Sequence, residues 1–322
     1  MFLNVGGRAV VPPLPGLDGI EYLTNTTILQ LDHVPRHLLI VGGSYIGLEF
    51  AQMYRRFGAQ VTVLEKSPVL IGREDADVSA AVHDILSAEG IDIRTGFGQL
   101  AFTPAPDGII ANVDGDRLLC SHVLVATGRR PNTDDLGLDE AGVAVDGRGY
   151  IVVDDGLETS VPGIYALGDC NGRGAFTHTA YNDFEIVAAN LLDGESRKVG
   201  DRIPAYALYI DPPLGRVGLS ERDAAASGRP FLVGTLPMSK VGRAIEKDET
   251  QGFMKVIADA ASGRIMGAAI LGTGGDEAIH GLLDMISTGA TASQLQRTVP
   301  IHPTVSELIP TVLSMLKPGR ES

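Results

Sequence analysis

The sequence has no tryptophan, two cysteines and an aromatic content of only 5%. Cys120 and Cys170 stand too far apart in too long a chain to make a disulfide framework. They suit a reducing compartment, and a cytoplasmic location is the expectation. Positive charge is also scarce, with 26 Lys and Arg against 40 Asp and Glu for a net charge of −14. A surface of that sign lacks the clustered cations that neutralise a polynucleotide backbone, so no nucleic-acid partner is expected. No apolar run reaches the roughly 20 residues of a membrane-spanning helix, so no membrane partner is expected either. The start, MFLNVGGRAVVPPLPG, lacks the basic opening and unbroken apolar core of a secretory signal. What is plentiful is glycine, 40 of 322 residues, beside 44% hydrophobic and 20% charged residues. That is the balance of a turn-rich α/β protein with room for two or three cores.

The most informative stretch runs from Leu38 to Lys66. Leu38-Leu39-Ile40-Val41 is short and wholly apolar, as a buried parallel strand would be. The tight turn Gly42-Gly43-Ser44-Tyr45-Ile46-Gly47 follows. Ile46, Phe50 and Met53-Tyr54 then recur at helical spacing until Gly58, and Val61 to Leu64 form a second strand that ends on Glu65. A helix that starts at a glycine turn offers N–H groups and partial positive charge to a pyrophosphate. Gly42 permits the sharp turn, and Gly47 lets helix and strand approach. A carboxylate about 20 residues past the turn accepts hydrogen bonds from a ribose 2′-hydroxyl and repels a 2′-phosphate. Glu65 is that carboxylate, so NAD is favoured over NADP, a preference weakened by the adjacent Lys66. Ser44 replaces the middle glycine of G-x-G-x-x-G, which leaves the fingerprint incomplete.

Around this unit, Phe2 to Val5 reads as a strand whose neighbours are not upstream, and Pro12 to Gly16 as a stiff connector. Asp75 to Glu89 reads as an amphipathic helix, Ile91 to Ile93 as a third strand, and 96–118 as a small antiparallel excursion. Val123 to Ala126 and Tyr150 to Val153 are further strands. Beyond Arg202, strands at Phe231, Phe253 and Gly267 with helices over 277–288 and 305–316 suggest an antiparallel sheet with helices on it.

Several of these segments carry a resemblance. ATGRRPN (Ala126 to Asn132) and GIYALGDC (Gly163 to Cys170) resemble the pyridine nucleotide–disulfide oxidoreductases, the flavoprotein family of glutathione reductase, dihydrolipoamide dehydrogenase and mercuric reductase. IDPPLGRVGLSE (Ile210 to Glu221) and VPIHPTVSEL (Val299 to Leu308) are most similar to its mercuric-reductase-like and reactive-chlorine-resistance branch. The similarity runs from Phe2 to about Leu316. It implies an α/β fold in which a Rossmann-like FAD/NAD(P)-binding region, with a partial FAD part and an NAD insert, precedes an α+β dimerisation domain. The implied segments are 1–34 and 133–201 on the flavin side, 35–132 for NAD(P), and 202–322 for dimerisation. FAD and NAD(P)H are the implied cofactors and a homodimer the implied assembly. Gly128 falls in the cofactor-binding motif, Asp169 would accept a hydrogen bond from the flavin ribitol, and Thr177 would open a helix aimed at the flavin pyrimidine. Relatives commonly have proline where His178 stands, so His178 is not carried over. Tyr45 matches the tyrosine that covers the nicotinamide pocket, and Glu49 the acidic residue near the carboxamide.

His302 and Glu307 form the other group with chemistry to offer. A carboxylate that binds one imidazole nitrogen fixes the tautomer and raises basicity at the other. Pro303 suits the first turn of a helix, which would put Glu307 inside it. In the family this pair acts on the redox dithiol of the partner subunit, and the final acceptor is a disulfide, a metal ion or a similar small molecule. Relatives carry the first FAD turn and a C-x₄-C motif ahead of the part that matches Phe2. The expectation is therefore a chain without that turn or dithiol and inactive alone, with Cys120 and Cys170 inert. The alternative is a nucleotide-binding, dimerising protein without redox turnover. A flavoprotein oxidase that needs no sulfur is disfavoured by HPTVSE, since the acid–base pair would have nothing to serve.

Overall fold

In the computed structural model, which describes residues 1–319, the apolar run at Leu38 is the core of strand β1 (His37–Val41). Helix α1 (Tyr45–Arg56), strand β2 (Gln60–Glu65), helix α2 (Ala76–Ala88), strand β3 (Asp92–Thr95) and strand β4 (His122–Val125) follow it. The sheet order is β3-β2-β1-β4, with every pair parallel. Both faces of β1 are covered, which is why its residues do not alternate with polar ones. Leu38 and Ile40 pack with Leu48 and Ala51 of α1 and with Val82 and Leu86 of α2. Leu39 and Val41 face Leu100, Phe102 and Val113 of an antiparallel meander (Leu100–Ala105, Gly108–Val113, Asp116–Cys120).

The chain divides into two compact units, one of residues 1–12 with 127–202 and the other of 13–126 with 203 onward. In the first, the N-terminal strand finds its neighbours downstream. Phe2–Leu3 pairs in parallel with Tyr165–Ala166, and Gly7–Ala9 antiparallel with Arg129–Pro131. Residues 127–132 lie with this unit, held by bonds such as Val10 N–H to the Gly128 carbonyl. Its core gathers Leu138, Ile151, Leu157, Ala166 and Cys170 beneath Ile186 and Val187 of helix α3 (Thr177–Leu192). Tyr150 to Val153 is not a continuous strand. Only single bridges form, Val145 to Ile151 and Val153 to Thr159, because tight turns on either side close within a few residues.

The second unit adds an antiparallel sheet of β5 (Ala205–Leu208), β6 (Leu214–Gly218), β7 (Phe231–Pro237), β8 (Phe253–Asp259), β9 (Ile265–Leu271) and β10 (Lys317–Pro318). The spatial order is β5-β6-β9-β8-β7-β10. Val217, Met254, Val256 and Ala268 line one face under helices α4 (Gly275–Ser287) and α5 (Ile309–Ser314). The single helix expected over 305–316 is instead a 3₁₀ turn, Ser306–Leu308, followed by α5. Pro310 sits in the first turn of α5, the position where a missing N–H costs no hydrogen bond, so it marks the true helix start. Pro303 lies ahead of both helical segments, and Glu307 is in the 3₁₀ turn. The last residues of the segment expected for dimerisation, 320–322, lie outside the described residues.

The opposite face of this sheet carries Leu214, Ala269 and Leu271 into the same core as β1, α1 and α2. Register places Tyr206, Arg216, Ala269 and Lys255 in one row across β5, β6, β9 and β8. The row meets the carboxylates at the start of α2. Arg216 Nε donates to Glu74 Oε2 at 3.0 Å and Nη2 to Asp75 Oδ2 at 3.1 Å, with a further Nη2 bond to Glu74. Lys255 Nζ reaches Asp77 at 2.6 Å and Glu221 at 3.0 Å. Arg216 and Lys255 are 2% and 1% exposed, so both cations are shielded from water, while the Asp77 and Glu221 carboxylates that Lys255 meets remain partly exposed. Burial alone would raise the Asp75 carboxyl, but the Arg216 and Lys255 cations outweigh it and hold the group below its ordinary value. Among the described residues no helix is long and apolar enough to cross a membrane.

Removing one member of such a set strands the others. Arg216→Met is expected to cost about 3–5 kcal/mol, because Glu74 loses its cation while staying buried. Thermal or urea unfolding checks this. The Asp75 share of stability is complete above the ordinary Asp pKa of 3.8 and is lost as pH falls through the depressed folded value. Acid titration of the unfolding free energy should therefore show wild type losing more than Arg216→Met below that point.

Candidate dinucleotide and acid–base sites

The turn after β1 is built by steric necessity. Gly42 has φ of +119°, outside the range that side chains tolerate, and its N–H donates to the Leu64 carbonyl at 2.8 Å. A Cβ on Gly47 would overlap the Gly42 carbonyl oxygen, so helix and strand can meet only at glycine. Gly43 is similarly enclosed, since a Cβ there would lie 2.6 Å from the Leu70 side chain and 2.9 Å from that of Glu65. Ser44 is the N-cap of α1 with φ −117° and ψ −170°, ordinary extended backbone, and it is exposed. Serine fits the middle position for that reason. Its carbonyl accepts from Leu48 N–H at 3.0 Å, and the first turn, with Tyr45 and Ile46, opens α1. The amides of such a turn have no intrahelical acceptor and attract anions.

Glu65 closes β2 beside the turn. Its Oε2 accepts from Gly43 N–H and its Oε1 from Ser67 N–H, both at 2.7 Å. Each oxygen keeps a second lone pair, so the carboxylate is fixed in place and still able to accept.

Farther along α1, Glu49 is half-buried. Its Oε1 accepts from Tyr209 N–H at 2.9 Å, and burial pushes the carboxyl above its ordinary value against that bond. It is not on a solvated helix face. Tyr45 meets Tyr206 edge-on, with ring centroids 5.5 Å apart at 83°, and the two phenols are hydrogen-bonded. Tyr206 donates in turn to Glu74. Nothing in the sequence marks Tyr206, Tyr209 or Glu74 for this neighbourhood, because partners so distant in the chain leave no local pattern.

In the other unit, Gly128 takes φ of +139° in the turn after β4. Asp169 lies in a 3₁₀ turn, Gly168–Asn171, where Arg129 Nη2 reaches its Oδ2 at 3.1 Å and the Gly7 carbonyl at 2.7 Å. One guanidinium contact leaves that carboxylate with acceptor capacity. Thr177 is the exposed first residue of α3, and the Thr179 hydroxyl accepts from Phe176 N–H at 3.1 Å to close the helix start. Asp183, buried in α3, accepts from Gly168 N–H and Asn171 Nδ2 at 2.8 Å each and pairs with Arg202. It fixes the turn that carries Asp169, a role without any local sequence signature.

His302 Nδ1 is 2.9 Å from Glu307 Oε2. The His302 side chain is 79% exposed and that of Glu307 only 14%, so the carboxylate is the fixed member and Nε2 is left for use. Thr304 Oγ1 accepts from Glu307 N–H at 3.2 Å and donates to the Ile301 carbonyl, which holds the loop. Val299 and Ile301 beside it are exposed. Cys120 and Cys170 are both buried; burial pushes the Cys120 thiol up to about 11 and the Cys170 thiol upward as well. Among the described residues no cluster of His, Cys, Asp and Glu could hold a metal ion.

Residues 1–183 match the family model described as pyridine nucleotide-disulphide oxidoreductase, and 204–313 match that family's dimerisation domain. The probable pyridine nucleotide-disulfide oxidoreductase RclA of Escherichia coli is 35% identical over 98% of this chain and 72% of its own length. The mercuric reductase of Streptomyces lividans is 36% identical over 95% of this chain, and the dihydrolipoyl dehydrogenase of Thermus scotoductus 34% over 92%. The chain spans 65% of each of those two relatives. A solved Cu(II) complex of the HOCl-induced flavoprotein disulfide reductase RclA superposes with a TM-score of 0.92 at 35% identity, covering 98% of this chain and 74% of that one. LpdA from Mycobacterium tuberculosis superposes at 0.89 with 25% identity, over 97% of this chain and 68% of its own.

The burial of both thiols has a direct readout. A disulfide reagent such as DTNB should label no cysteine in the native chain and two in denaturant. A rapidly reacting native thiol would contradict the inertness assigned to them.

Proposed function

The chain belongs to the pyridine nucleotide-disulphide oxidoreductase family, and we propose that it acts as a homodimeric, FAD-dependent oxidoreductase that prefers NADH to NADPH. The segment from Leu38 to Val125 holds the nicotinamide dinucleotide, the unit of 1–12 with 127–202 serves the flavin, and the sheet and helices over 204–313 form the dimer, in a cytoplasm that keeps its thiols reduced. When bound, NADH supplies a hydride and FAD accepts and relays the electron pair. The observation that carries the reading is the Gly42–Gly47 turn backed by a Glu65 that Gly43 itself holds in place.

The residues have distinct tasks. The first turn of α1 binds the pyrophosphate, with Gly42, Gly43, Ser44 and Gly47 allowing close backbone approach. Glu65 uses its remaining lone pairs on the adenosine ribose. Tyr45 and Glu49 border the nicotinamide end. Asp169 accepts from the flavin ribitol, Gly128 shapes the adjoining loop, and the α3 start at Thr177 favours negative charge on the flavin. His302, with Nδ1 committed to Glu307, takes up or releases a proton at Nε2 for a disulfide, metal-ion or similar small acceptor.

The second reading, a nucleotide-binding dimer without turnover, would rest on the same Gly42–Gly47 turn and on the match of residues 204–313 to the dimerisation domain. Two measurements test the proposal. In titrations NADH should bind more tightly than NADPH, and Glu65→Arg should shift the ratio toward NADPH by about tenfold or more, as expected when a carboxylate is replaced by a cation beside a 2′-phosphate. Unchanged selectivity would remove Glu65 from the site. Steady NADH-dependent reduction of a quinone dye by the chain supplied with FAD supports the oxidoreductase; tight NADH binding without dye reduction supports the second reading.

A further inference from the structure

We propose that Tyr206 is a positioning residue for the nicotinamide end of the dinucleotide site and that it acts through Tyr45. The inference rests on the reading that the Gly42–Gly47 turn binds NADH. It adds a residue from the dimerisation sheet to a site otherwise made from the nucleotide-binding segment.

Hydrogen-bond polarity sets the direction of the contact. Glu74 accepts from Arg216 on Oε2 and from the Tyr206 hydroxyl on Oε1. Tyr206 has a single O–H proton, and it is committed to Glu74. Only lone pairs remain on that oxygen, so in its bond with Tyr45 the Tyr45 hydroxyl must donate. The relay therefore runs one way: Tyr45 O–H to Tyr206, Tyr206 O–H to Glu74, and Glu74 against Arg216. Its far end cannot move, since Arg216 is 2% exposed and sits directly opposite Tyr206 in the β5–β6 register. Burial pushes both phenols above their ordinary value, so both protons stay in place at neutral pH.

Its near end is where the ligand comes. Tyr45 opens α1, with its side chain set at the nicotinamide end under the proposed function. A tyrosine there would otherwise sample several rotamers and lose that freedom on binding. The edge-on contact with Tyr206 at 5.5 Å and the shared hydrogen bond select one orientation in advance. Preorganisation of this kind raises affinity by lowering the ordering cost. The benefit falls only on ligands that reach Tyr45.

Ligands with and without the nicotinamide therefore separate this role from a merely structural one. Tyr206→Phe keeps the ring and removes the hydroxyl. Calorimetric titration with NADH should show about a three- to tenfold weaker affinity, of the order expected for a lost neutral hydrogen bond. ADP-ribose, which has the same pyrophosphate and ribose but no nicotinamide, should bind within about twofold of wild type, a spread of under 1 kcal/mol. Tyr45→Phe should show the same NADH loss, and the double variant no more than either single one, since both remove the same contact. Wild-type NADH affinity in Tyr206→Phe, equal losses for NADH and ADP-ribose, or losses that multiply in the double variant would each overturn the proposal. Should wild type bind neither ligand, the dinucleotide reading itself fails and this inference with it.

Discussion

A row of charge that cannot be left unpaired sets the geometry of the larger unit. Arg216 and Lys255 extend from neighbouring parts of an antiparallel sheet, with Ala269 between them leaving room for both long side chains. Neither cation has water to turn to, so each must meet the carboxylates that precede and open α2. A hydrophobic face could slide by a residue at modest cost. A buried guanidinium facing Glu74 and Asp75 cannot, because any offset leaves a charge desolvated and unmatched. Arg216 Nη1 already lacks a hydrogen-bond partner among the described residues, so part of the desolvation cost is tolerated for the sake of the remaining bonds. The sheet and the nucleotide-binding segment are thereby held in one register, and Tyr206 and Tyr209 come to rest against α1.

The glycine turn shows the same economy at smaller scale. The carboxylate suited to a ribose is also the group that ties down the turn, through the Gly43 N–H bond. Gly43 can approach Glu65 so closely because it has no side chain. One residue pair thus fixes both the shape of the turn and the position of the carboxylate beside it.

How much of this the sequence discloses follows from the range of each interaction. Strand β1, the turn, α1 and Glu65 lie within thirty residues of one another and leave their signature as a continuous apolar run, glycines at fixed offsets and helical periodicity. α2 is legible from its periodicity between Asp75 and Glu89, which cap it. Tyr150 to Val153 resembles a strand because it is apolar and β-branched, yet it lacks a ladder partner beyond single bridges. A helix over 305–316 is longer than the one that forms, since Pro303 and Pro310 both suit a helix start and only tertiary packing chooses the second. Arg216 and Lys255, charged residues inside strands, read as solvent-facing by alternation alone. Their true environment depends on Glu74, Asp75 and Asp77 more than a hundred residues away, and no local rule connects them.

The acid–base pair differs from the buried network in what it leaves open. Glu307 is fixed by Thr304 and shielded, while His302 stands out from the surface with one nitrogen engaged. In open water such an imidazole gains little from its orientation, because solvent can carry protons as readily as it can. Orientation acquires value only when water is excluded and a single acceptor is presented to Nε2. The flanking Val299 and Ile301 are exposed apolar side chains in the same segment of the dimerisation domain. Within one chain the carboxylate is held while Nε2 faces outward, and both residues fall in the stretch that matches the dimerisation domain.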